Sequence, residues 1–228
     1  MSARSALHAS FVPAVISALL SIAPGAARAT IIDPAGDFLL TYTGKPDPGL
    51  DVISAGVTLD GGQFVLTATM AGPIATLLTT VPTALFVWGL DRGAGTQRFL
   101  LGNPSTGAGV SFDSVLVLRL DGTGTFNDLV ASPTTSTPLA AGSVQISGAT
   151  ITAELPVSFA PSKGLDPRSY GFNLWPRSGA GSNAQIADFA PNASTFAATQ
   201  VPEPGTLALL GAGMVGMAAL GRRRASLG

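Results

Sequence analysis

Four aspartates crowd the start of the chain: Asp33, Asp37, Asp47 and Asp51. Carboxylate oxygens gathered from neighbouring loops are hard donors, the kind that calcium collects in sets of about six to eight. Their spacing is not that of an EF-hand loop, so such a site would be assembled from separate segments. Asp also caps turns and faces solvent routinely, and that is the preferred reading of the four, with calcium as the alternative.

The residue types that are missing narrow the chemistry further. The chain of 228 residues has no Cys, and its only His is His8. Thiol nucleophiles, His/Cys zinc sites and imidazole bases are therefore not expected in a mature body. Within residues 30–200 the only Glu is Glu154, and no Gly-x-Ser-x-Gly elbow occurs. The expectation is a protein without catalysis; an Asp/Asp hydrolytic pair is the remaining enzymatic alternative.

Both ends of the chain carry targeting patterns. Residues 1–29 start with Arg4, continue through an apolar run over residues 11–23 and close on Ala27-Arg28-Ala29. That layout is a secretory signal peptide, with Ala27 and Ala29 as the small residues of the cleavage pattern. At the far end, Pro202-Glu203-Pro204 precedes an apolar stretch over residues 206–220 and then Arg222, Arg223 and Arg224. Fifteen helical residues span about 22 Å against about 30 Å of hydrocarbon, so this is a short or transient membrane segment. Three arginines hold its end in the cytoplasm, which puts the Pro-Glu-Pro and the body outside the inner membrane.

This tail, residues 201–228, resembles the PEP-CTERM sorting signal. The matching positions are Pro202, Glu203 and Pro204 with Arg222, Arg223 and Arg224 as the stop; four residues follow the arginines. The resemblance implies recognition by an exosortase, a membrane-embedded transpeptidase-like protease. It also implies a Gram-negative bacterium that makes exopolysaccharide, and delivery to the cell surface or extracellular matrix.

The body between the ends, residues 30–200, has seven basic residues against twelve acidic ones, a formal net charge of −5. Without clustered Lys and Arg, nucleic acid is not an expected partner. Alternation dominates its pattern. Ile53, Ala55, Val57 and Leu59 are expected on one face of a strand over residues 52–59, with Ser54, Gly56 and Thr58 on the other. Asp60-Gly61-Gly62 reads as a turn into a second strand that buries Phe64, Leu66, Ala68 and Met70. Further strands are expected over residues 38–42, 84–90, 98–101, 114–120, 144–146, 150–155, 170–175 and 186–189. A helical turn is expected within residues 71–80 and a mobile loop over residues 131–142. Eight to ten short strands separated by Gly, Pro, Asn and Asp describe an all-β fold, an antiparallel β-sandwich of jelly-roll or related type.

Asp33-Pro34-Ala35-Gly36-Asp37, then Leu50-Asp51-Val52, then Ala187-Asp188-Phe189 give the body a weaker similarity to secreted DOMON-like and family-nine carbohydrate-binding sandwiches. In such modules aromatic rings sandwich a sugar. The similarity therefore implies a platform of Trp88 and Trp175 with Arg98, Asn173 and Arg177, and exopolysaccharide as a ligand, with calcium a candidate cofactor. Against it stands packing of both tryptophans in the core or rim, the preferred reading because large aromatics dominate sandwich interiors. The sequence thus points to an exported surface or matrix protein, with a carbohydrate-binding module as the alternative.

Overall fold

A computed structural model describes residues 30–200; the expected signal peptide, residues 1–29, and the tail, residues 201–228, lie outside the described residues. Twelve strands among these residues form two six-stranded sheets. The first sheet has the order β1 (Thr30–Ile32), β2 (Val52–Asp60), β3 (Gln63–Met70), β9 (Thr150–Pro156), β8 (Val144–Ser147), and β12 (Thr199–Gln200) also pairs with β2. The second has the order β11 (Phe196–Ala197), β10 (Gly171–Arg177), β4 (Leu85–Asp91), β5 (Ser114–Arg119), β6 (Gly124–Asp128), β7 (Thr135–Pro138). Every pairing is antiparallel except that of β12 with β2. Val57, Phe64 and Leu66 of the first sheet share one core with Phe86, Trp88, Leu116 and Phe172 of the second, as the expected sandwich requires.

The β2–β3 hairpin shows how the sequence writes this. Asp60 pairs with Gln63 across Gly61 and Gly62, whose φ values of +53° and +81° are those of a tight hairpin turn that side chains resist. On β3 the apolar set Phe64, Leu66, Ala68 and Met70 is buried as its period predicts. On β2 the parity breaks. A register shift between Val52 and Ser54 puts Val52 in the core and leaves Ile53 half-buried. Thr58, expected to face out, is buried at the point where β12 pairs with β2.

The central strands of the second sheet are covered on both faces, which explains their unbroken apolar runs. Phe86, Trp88, Leu90, Phe172 and Leu174 enter the main core. Val87 and Trp175 point the other way, into an outer cluster with Phe99, Val110, Phe112, Ile186 and Phe189. Gly89 makes room for this cluster, because a Cβ there would lie 2.4 Å from the Trp175 ring. Beside it, Arg92 is fully buried with its Nε 2.7 Å from Asp113 and its Nη2 2.9 Å from Asp128, and the guanidinium lies over Phe126.

Several expected elements differ. Residues 38–42 are a loop, held by the Leu39 N–H on the Ala187 carbonyl and by Phe38 stacking on Tyr42. Residues 98–101 form a 3-10 turn that puts Phe99 into the outer cluster. Residues 186–189 make only isolated bridges at their flanks, Arg177 with Ile186 and Leu174 with Ala190. Phe99, Ile186 and Phe189 are buried in the outer cluster with Leu39 packed against it, and Phe38 and Tyr42 lie against the main core, a burial that needs no ladder; Leu40 and Leu101 are exposed. Conversely β6 has no counterpart in the sequence reading, and β7 lies within the expected loop over residues 131–142. The helical turn is present as a 3-10 turn, Ile74–Thr76, continuing into α1 (Leu77–Thr80).

Candidate metal centre

Three segments far apart in sequence meet beside the start of β2. The Asp33 N–H donates to the Ile53 carbonyl at 3.1 Å, extending the β1 ladder by one residue. The chain then turns through Gly36, whose φ of +85° lies in the left-handed region, and its N–H donates to Asp51 Oδ2 at 2.8 Å. Asp37 follows, with Oδ2 accepting from the Asn192 amide at 3.0 Å. Asp51 stands between the 3-10 turn Pro48–Leu50 and β2. From the other end of the chain, Asp188 is fully buried and accepts from the Val52 N–H at 2.9 Å through Oδ2 and from the Phe189 N–H at 2.7 Å through Oδ1.

Asp33, Asp37 and Asp188 each place a carboxylate oxygen so that the three lie within 4.8 Å of one another. Asp33 is 7% exposed and Asp51 4% exposed, yet Asp33 Oδ2, Asp37 Oδ1 and Asp51 Oδ1 are buried with no hydrogen-bond partner. Buried oxygens of this kind are costly unless something pairs them. Burial, then the charges of Asp37 and Asp51, push Asp33 up to about 7. Burial also pushes Asp188 up to about 8, with Asp33 and Asp37 adding to the rise against the Val52 and Phe189 N–H groups. Asp51 is raised as well, by burial first and by Asp37, with the Gly36 N–H opposing. The cluster is thus short of positive charge. An oxygen-only donor set with free buried lone pairs suits a hard divalent cation and lacks the nitrogen or sulfur that zinc favours.

Asp47, grouped by sequence with the other three, does not join them. Its Oδ1 caps the 3-10 turn by accepting the Gly49 N–H at 2.9 Å, and its Oδ2 accepts the Thr80 hydroxyl at 2.7 Å, tying that turn to α1. Asp188 stands beside Asp33 and Asp37 instead, and Asp51 lies next to the three without joining their close set. The signal of Asp188 in the sequence was a lone charge inside an apolar stretch, Ile186 to Ala190, but nothing local says which carboxylates it meets.

The tryptophan platform is not formed. Trp88 is 0% and Trp175 1% exposed, on opposite faces of the second sheet. The Trp175 ring packs edge-on against Phe99 at 4.8 Å. Asn173 is buried, its amide donating to the Pro191 and Ser194 carbonyls at 2.7 and 2.8 Å. Arg98 Nε donates to the Phe112 carbonyl, and Arg177 is spent on the carbonyls of Gly179, Gly181 and Ser182. Packing in the interior, the preferred reading, is what β4 and β10 impose by being covered on both sides. Glu154 is exposed on β9.

The arrangement defines a two-sheet β-sandwich with an acidic cluster near its first strands. Its address is read from the tail: the PEP-CTERM protein-sorting motif matches residues 200–224. This interval contains Pro202, Glu203, Pro204 and the three arginines, so the chain carries the signal by which an exosortase sorts a membrane-anchored precursor to the cell surface. No curated protein matches the chain. Among the described residues no helix is long and apolar enough to cross a membrane.

Proposed function

We propose that the body acts, once sorted, as a non-catalytic surface or biofilm-matrix domain in which calcium is a structural part. The observation that carries this reading is the clustering of Asp33, Asp37 and Asp188, whose carboxylate oxygens lie within 4.8 Å of one another, with Asp33 Oδ2 and Asp37 Oδ1 buried and unpartnered. A cation there joins the end of β1 to the segment after β10, which Asp188 already ties to the start of β2 through the Val52 N–H, so it would act on the fold as a clasp. Calcium is the fitting ion because the donors are all oxygens of irregular loops, and an extracellular site works at millimolar affinity. The absence of Cys and of any His but His8, together with an outward Glu154, supports a role without catalysis.

Exopolysaccharide is the expected surrounding of a protein with this tail rather than a ligand gripped by aromatic rings. The deciding experiment is calcium titration of the protein purified from its host, followed by isothermal calorimetry and by thermal unfolding with calcium or chelator. Saturable binding with a higher melting temperature supports the clasp. No heat of binding and no shift would remove it.

A further inference from the structure

The chain enters and leaves the body at neighbouring points of a single strand. Thr30 pairs opposite Gly56 and Thr199 opposite Thr58, so β1 and β12 lie end to end along the same edge of β2. The sorting motif starts at residue 200, and Gln200 is also the last residue of β12. No spacer separates the sheet from the signal. From Gln200 to Pro204 an extended chain reaches only about 14 Å.

That junction matters to an enzyme that must take hold of the tail. Peptide-processing enzymes bind their substrates extended, with main-chain hydrogen bonds like those of an added strand, and a residue paired in its own sheet cannot make them. Pro202 and Pro204 offer no N–H groups, so binding on the body side of the motif falls to Val201, Gln200 and Thr199. The pairing to be given up is short: two residues, parallel, at the end of the body. Terminal pairs of this size open far more readily than the fold as a whole.

We propose that β12 is a release catch between the folded body and its sorting enzyme. Thr199 and Gln200 leave β2 when the exosortase takes the tail, and processing waits on that opening. Once the tail has been processed, β12 returns to cover Thr58 and Leu59.

The chain has no cysteine, so one engineered pair can hold the catch shut. Full-length Thr58→Cys/Thr199→Cys protein, made in the exosortase-bearing host, would be followed by pulse-chase from precursor to processed form. Each single variant reports the effect of its substitution alone. A third chain carries six Gly/Ser residues between Gln200 and Val201. The expected result is processing of the crosslinked chain at least about tenfold slower than either single variant, restored by a permeant thiol, and faster processing with the insertion. Processing of the crosslinked chain at the rate of the single variants overturns the proposal. So does an insertion that leaves the rate unchanged. A parent chain that is never processed would overturn the premise of sorting itself, a failure distinct from either.

Discussion

The Val52 N–H donates to Asp188 Oδ2 at 2.9 Å, across 136 residues of sequence. This bond fixes the first residue of β2 to the segment that follows β10. It also holds the Asp188 carboxylate, already anchored by the Phe189 N–H, against Asp33 and Asp37. Two backbone donors do not balance this much buried negative charge, and the unpartnered oxygens of Asp33, Asp37 and Asp51 are the remainder.

Asp33→Asn should change sign with calcium. Without the ion it removes a repelling charge and raises the melting temperature slightly, because the buried Asp33 Oδ2 accepts no hydrogen bond that the amide would lose. With calcium at about a hundredfold excess over its dissociation constant, the parent gains about 2.7 kcal/mol, or about 5–10 °C for a body of this size, and the variant little of it. Differential scanning calorimetry of both proteins, with calcium and with chelator, checks this. Equal calcium shifts would count against Asp33 as a ligand.

Calcium-free protein should lose stability as pH rises. Asp33 at about 7 and Asp188 at about 8 bind protons in the folded state that an unfolded carboxyl releases near pH 4. Between about pH 4 and pH 8 the native state therefore holds more protons, and each step upward removes stability. Calcium competes with those protons, so its stabilising effect should grow over the same window. Urea midpoints at pH 5 and pH 8, with chelator and with calcium, test both statements. A chelated protein more stable at pH 8 would contradict them.

Gly89→Ala should destabilise by about 1–3 kcal/mol, through overpacking against Trp175. Trp175→Ala should cost about 3–5 kcal/mol by opening the outer cluster. The pair Gly89→Ala with Trp175→Phe should be less damaging than the sum of its parts, since the smaller ring vacates the space the methyl needs. Chemical denaturation of the parent, Gly89→Ala, Trp175→Phe and the pair measures the coupling. Tryptophan emission should be blue-shifted in the native protein and unmoved by polysaccharide, as neither indole reaches solvent.

Arg92→Met should cost about 3–5 kcal/mol, because it strands Asp113 and Asp128 in the interior with only Lys163 near one of them. Adding Asp113→Asn should recover part of the loss. Urea unfolding of the single and double variants decides it; a loss under about 1 kcal/mol would mean that water reaches the site.

Legibility followed the range of the interaction. Phe64, Leu66, Ala68 and Met70 could be placed from the sequence because strand period and a Gly-Gly turn are properties of adjacent residues. Residues 38–42, 98–101 and 186–189 look equally strand-like, yet they become covers and turns. Alternation encodes which side chains are buried but not whether a neighbouring strand exists to accept the backbone bonds. The bulge after Val52 reversed the parity of Ile53 for the same reason, since it depends on pairing with β3.

By itself the sequence determined that this protein carries a sorting tail and folds as an all-β sandwich, because the Pro-Glu-Pro motif and period-2 burial are both written in short windows. Only the tertiary structure decided that Asp188 replaces Asp47 beside Asp33, that Trp88 and Trp175 sit inside on opposite faces of one sheet, and that β12 ends where the tail begins. Each of these is a meeting of residues far apart in the chain. Such meetings follow from strand order and register across two sheets, which no local pattern specifies.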